Sequence, residues 1–247
     1  MTNASIHALA CALLGLLCAV PAAAGGAEAR ILLDADFNAE PLDMMIGTGG
    51  PALGQPIQVD PGLLAMVRAA PLPSPSLELA HDLPGLARSL RFEFPGSEEV
   101  VHGDVELRFV FRAEQLDFFI LVYVREQGGS AQSFLTMNLD SSGAISAGDG
   151  SGEPAIDIGT YQPGVDYRIH ATFHLDAGTW DLSLDDVPVV IGRPHGVEDR
   201  GIGGLLFGTH HQTHAGSLLY LDNIRARRGD GIFADGFGEL AAPVDAG

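Results

Sequence analysis

The sequence predicts an all-β domain, an antiparallel β-sandwich or jelly roll. Three observations predict it. Apolar and polar residues alternate with period 2 in several segments, the pattern of a half-buried strand. Turn signals punctuate those segments: Gly128-Gly129, Ser142-Gly143, Pro163-Gly164 and Ala177-Gly178, within a total of 32 Gly and 15 Pro. Long helical periods are hard to find.

Taken in chain order, the elements are these. Leu33 to Phe37 opens the domain as a strand. Gly62 to Ala70 reads equally well as a short helix or a strand. In Val105 to Arg112, the residues Val105, Leu107, Phe109 and Phe111 share one face, with Glu106, Arg108 and Arg112 opposite. Phe118 to Val124 is apolar on both faces, as expected of a central strand. In Tyr167 to Leu175, Ile169, Ala171, Phe173 and Leu175 face one way and Arg168, His170, Thr172 and His174 the other. In Thr179 to Asp185, Trp180, Leu182 and Leu184 alternate with Asp181, Ser183 and Asp185, which puts the single Trp in the core. Gly201-Ile202-Gly203-Gly204 lacks the third glycine of a dinucleotide loop and reads as entry to a strand. Leu219 to Ile224 closes the domain.

The ends read differently. Ala8 to Val20 is an apolar run too short to span a bilayer. With Pro21-Ala22-Ala23-Ala24 it has the form of a secretory signal peptide over residues 1–24, although Met1 to His7 carries no Lys or Arg. Residues 25–229 then form the sandwich and residues 230–247 a C-terminal tail. Cys11 and Cys18 both fall in the leader, so the mature chain has no disulfide and no thiol chemistry. The expected location is the periplasm or the medium, with no transmembrane segment in the mature chain.

Composition excludes several functions. The chain of 247 residues has 13 basic residues, all Arg, against 32 acidic ones, a formal net charge of -19. Without lysine there is no P-loop or Schiff-base chemistry. So acidic a chain is a poor partner for nucleic acid, where affinity comes mainly from neutralised phosphates. Strongly anionic glycans are disfavoured on the same ground unless Ca²⁺ bridges.

Some residues carry a resemblance. Thr179 to Val189, led by Tyr161-x-x-Gly164-x-x-Tyr167-Arg168-Ile169, resembles a hairpin of concanavalin A-like, laminin-G-like jelly rolls. Leu219-Tyr220-Leu221-Asp222-Asn223-Ile224 is similar to their last strand and Leu33-Asp34-Ala35-Asp36-Phe37 to their first. The likeness spans roughly Ile31 to Arg228. In the tail, Phe233-Ala234-Asp235-Gly236-Phe237 looks like a short motif found on some secreted bacterial proteins. The superfamily includes lectins, carbohydrate-binding modules, glucanases, polysaccharide lyases and adhesion modules, so the resemblance implies a fold more than a function.

For function it implies a polysaccharide or glycoconjugate ligand. Sugar sites need an aromatic platform with fixed polar groups. The candidates are Tyr123, Tyr161 and Tyr167, with Arg125, Arg168, His170 and His174 around them; a solvated outer face is the plain reading of the last three. Catalysis lacks a clear signature. The Glu-x-Asp-x-x-Glu of laminarinase-type relatives is missing. Asp181 and Asp185 lie about 13 Å apart on a strand, beyond the roughly 5–9.5 Å that glycoside hydrolysis needs. Arg168-Ile169-His170 has the residue types of a lyase face, without the Gln and the Tyr-rich partner motif that the resemblance calls for. The leading reading is a glycan-binding module. A lyase or hydrolase, or an adhesive envelope protein, is the alternative.

Two metal candidates complete the list. Asp34, Asp36 and Asn38 share one face by alternation, and Asp222 in the closing strand can join them; hard oxygen ligands there suit a structural Ca²⁺ of the kind that the resemblance implies. His210, His211 and His214 sit in a loop with no carboxylate nearby in sequence and have spacing that can hold Zn²⁺. Arg225, Arg227 and Arg228 are expected to pair with carboxylates at the sandwich edge.

Overall fold

In the computed structural model, residues 30–48, 54–81, 85–95, 99–126, 133–197 and 200–229 are described. The leader, the tail and the Gly128-Gly129 turn lie outside them. Among the described residues, fifteen strands form two antiparallel sheets. They are β1 (Arg30–Ala35), β2 (Gln58–Val59), β3 (Leu63–Arg68), β4 (Ser76–His81), β5 (Arg88–Glu93), β6 (Asp104–Ala113), β7 (Phe119–Arg125) and β8 (Ser133–Leu139). Then come β9 (Ala144–Gly148), β10 (Ile156–Thr160), β11 (Asp166–His174), β12 (Thr179–Leu184), β13 (Val187–Pro194), β14 (Gly204–Thr209) and β15 (Leu218–Gly229). Strand β3 falls within residues 62–70, the segment that is ambiguous in sequence. No helix among the described residues is long and apolar enough to cross a membrane.

Sheet A runs β13-β12-β11-β6-β15-β4-β3, with β1 also paired to β15. Sheet B runs β10-β9-β8-β7-β14-β5-β2. The long closing strand changes neighbours partway. Leu218 to Leu221 pairs with β4, and Ile224 to Arg228 pairs with β1. The change falls at a register shift between Asp222 and Arg225, where Asn223 has φ 52°. Asn tolerates that left-handed conformation better than most residues.

The alternating apolar residues meet between the sheets. Phe109 of β6 packs edge-on against Phe207 of β14 at 5.3 Å, and Phe173 of β11 against Phe134 of β8 at 6.4 Å. These T-shaped pairs bridge sheet A to sheet B. Trp180 is fully buried. The expected turns form at Gly143, Gly164 and Gly178, whose positive φ of 89°, 74° and 66° a glycine adopts without strain.

Two polar knots tie the layers where apolar packing ends. The Asp149 side chain, after β9 of sheet B, accepts from Arg193 Nε at 2.9 Å and Trp180 Nε1 at 3.4 Å, both of sheet A. Burial works against its charge, but hydrogen bonds from Ser151 and the Arg193 guanidinium hold its carboxyl below the ordinary range. The second knot is Asp117, between β6 and β7. It accepts from Phe118 N, His214 N and Ser217 Oγ, and so pins the β14–β15 connection.

Candidate functional site

The structure splits the expected ligand residues between opposite outer faces. Core residues Ile169, Ala171 and Phe173 of β11 point inward, so Arg168, His170 and His174 stand on the outer face of sheet A. Tyr123 and Arg125 stand on the outer face of sheet B, opposite buried Val124. The five residues cannot form one site.

On sheet A the charges answer one another. Glu106 lies 3.5 Å from His170 Nε2 and 3.4 Å from Arg108 Nη2. Arg68 pairs with Glu78 and Asp43, Arg112 with Glu114, and Arg168 with Asp186. His174 lies between two carboxylates, Nδ1 2.9 Å from Asp104 and Nε2 3.2 Å from Asp181. Only the imidazolium donates from both nitrogens. Burial opposes its charge, yet the two Asp outweigh that and raise its pKa. Carboxylates and cations thus pair along and across neighbouring strands of this face.

Sheet B is built differently. The register aligns Glu93, Gly204 and Arg125 in one row and Arg91, Leu206, Tyr123 and Thr136 in the next. Gly204 approaches β5 so closely that a Cβ would collide with the Phe92 carbonyl. Only glycine fits, and the row keeps no side chain between Glu93 and Arg125. Each carboxylate here has its own arginine: Glu93 is held by Arg91, and Glu126 by Arg200 at 2.7 Å. Arg125 is 8% exposed. Its Nε donates to the Glu126 carbonyl at 3.1 Å, and its Nη2 is buried without an acceptor. Burial first, and the Arg91 charge next, lower its pKa from the ordinary arginine value.

Arg91 and Glu93 were not singled out from sequence, though Ser89, Arg91 and Glu93 alternate with Leu90, Phe92 and Phe94. Two tyrosines were misplaced by it. Tyr161 and Tyr167 are buried, not platforms. The Tyr161 hydroxyl accepts from Asp117 N at 2.8 Å and faces the carbonyls of Asp117 and Asp140. Tyr167 stacks on Phe111 at 5.2 Å, and its hydroxyl accepts from Gln162 N.

The metal candidates are placed as follows. β1 ends at Ala35, and Phe37 has φ 57°, so strand alternation does not extend to Asn38. Asp34 accepts from Arg225 Nε at 2.8 Å, as the edge pairing of that Arg cluster predicts. Asp36 accepts from Asn38 N. Asp222 is buried, holding Ser74 Oγ, Asn223 N and Asn223 Nδ2. Burial above all raises its pKa to about 6, with Asp36 adding to the effect. In the histidine loop, the rings of His210 and His211 lie 3.8 Å apart, while His214 Nδ1 turns away to Asp117 at 3.0 Å. A carboxylate is therefore at hand, from 97 residues earlier in the chain. Among the described residues, no three of His, Cys, Asp or Glu come together to hold a metal ion.

No family model matches the sequence, and no characterised protein matches it by sequence. Solved structures do match. A sialidase superposes with TM-score 0.57 at 13% identity, over 80% of this chain and 18% of that one. A Trypanosoma rangeli sialidase in complex with sialic acid matches with TM-score 0.47 at 11% identity, over 74% of this chain and 33% of that one. The alginate lyase AlyC3 matches with TM-score 0.48 at 8% identity, over 61% of this chain and 74% of that one. The chain thus spans less than a fifth of the first sialidase, and the likeness is one of fold.

Proposed function

We propose that this chain is an exported glycan-binding module of concanavalin A-like type, and that the outer face of sheet B is its binding surface. The observation that carries the reading is the contrast between the faces. On sheet A Arg68, Arg108, Arg112 and Arg168 each pair with a carboxylate, whereas on sheet B the buried Arg125 donates only to a backbone carbonyl and keeps its Nη2 without an acceptor beside half-buried Tyr123. An aromatic ring next to fixed donors is what sugar recognition requires. The fold similarity to part of a sialidase supports the ligand class, because that protein's name states action on a glycan.

A glycan-array screen of the mature chain tests the reading. A coherent set of hits that weaken in Tyr123→Ala is expected. A blank array with folded protein overturns the proposal and favours an adhesive role toward protein partners. Cleavage is the second reading, favoured by the Glu106–Arg108–His170 cluster on sheet A. New reducing ends or unsaturated products from the bound glycans, lost in His170→Ala, would establish it.

A further inference from the structure

We infer that Arg125, with Arg91 beside it, is an oxyanion site: it takes a carboxylate or sulfate group of the ligand. The inference rests on the glycan-binding reading for the identity of the ligand, but its geometry is independent of it.

Three observations converge. First, Arg125 is more than nine-tenths buried, and its Nη2 is also buried, with no acceptor. A guanidinium held that way is costly unless something pairs with it. Second, the local carboxylates are already engaged. Glu93 is held by Arg91 and Glu126 by Arg200, so the described cluster of Arg91, Arg125 and Arg200 against Glu93 and Glu126 has one positive charge to spare. Third, the buried Nε of Arg91 also lacks an acceptor. Two guanidinium groups on strands one apart, with donor capacity left on both and bare Gly204 between the strands, fit a group with two or three oxygens. Planar guanidinium forks match such groups in a bidentate manner.

The site reverses the expectation from composition. A net charge of -19 argues against acidic ligands. Buried pairs are screened far less than exposed charges, however, so a local cationic pocket can act against the overall field.

The probes are oligogalacturonate, its methyl ester and a carrageenan oligosaccharide, titrated calorimetrically into the full mature chain. The ester keeps the sugar and removes the charge. The expected result is that the free acid or the sulfated probe binds roughly tenfold or more tightly than the ester. That preference disappears in Arg125→Gln. It grows in Glu93→Gln, which frees Arg91 and removes a carboxylate acting on Arg125 while leaving the buried arginine itself in place, and so decides the matter if Arg125→Gln fails to fold. Preference for the free acid assigns a carboxylate, and preference for carrageenan a sulfate. Equal affinity for all three probes overturns the oxyanion site and leaves glycan binding standing. A preference unchanged in both variants also overturns it. If no sugar binds but inorganic sulfate raises the melting temperature of the wild type and not of Arg125→Gln, the oxyanion site stands and the glycan reading falls.

Discussion

Asp222→Asn should remove a loss of stability that sets in as pH rises toward neutral, and so change how the domain's stability depends on pH. Asp222 is 2% exposed and sits at the bulge where β15 leaves β4 for β1. Burial raises its carboxyl pKa to about 6 from 3.8, and the hydrogen bonds from Ser74 and Asn223 only partly offset this. Because the folded pKa lies above the unfolded one, the group's contribution is complete below about pH 4 and is lost as pH rises through 6. Ionising it in the fold costs about 3 kcal/mol, from about two pKa units at 1.36 kcal/mol each. Asparagine stays neutral and keeps an acceptor for Asn223 N, but its amide nitrogen cannot accept from Asn223 Nδ2 or Ser74 Oγ, a loss that does not change with pH. Urea unfolding of both proteins across pH 4 to 8 measures the difference. The variant should gain about 3 kcal/mol on the wild type between pH 4 and 7, roughly 6–12 °C in melting temperature for a domain of this size. A stability difference that stays constant across this range would refute the reasoning, since a buried carboxyl that ionises without penalty is not desolvated.

Other predictions concern single contacts. His174 has its pKa raised by Asp104 and Asp181, so its stabilisation is present below the unfolded pKa and is lost as pH rises through the folded one; His174→Asn should flatten that part of the melting profile. Asp117 is held below the ordinary carboxyl range despite burial, because Ser217 and His214 donate to it. Asp117→Ala should cost about 1–3 kcal/mol by leaving buried donors without an acceptor, and hydrogen exchange should quicken over residues 210–217. Tyr161→Phe should cost about 1–3 kcal/mol, because the Asp117 amide loses its buried acceptor. Melts in Ca²⁺ and in EDTA should superimpose, because Asp34 is already neutralised by Arg225; a rise in Ca²⁺ that is absent in Asp222→Asn would instead reveal a bound ion.

The strands were legible in the sequence because period 2 is a local property. Val105, Leu107, Phe109 and Phe111 show their inward face without reference to any partner, as do Trp180 and Leu182. The turns at Gly143, Gly164 and Gly178 were equally legible, since positive φ selects the residue type. What the sequence could not show was which sheet each strand joins. Both outer faces carry the same polar signature, so Arg125 and Arg168 looked like members of one site when the sandwich core stands between them. The Tyr161 and Asp117 contacts, and the pairing of His214 with Asp117, span tens of residues along the chain and leave no periodic trace. Composition and alternation thus determined the class, the core-facing residues and the turns. Only the tertiary structure decided which charges neutralise one another and left Arg125 over, because partners across a sheet are set by long-range strand order, which a local pattern does not encode.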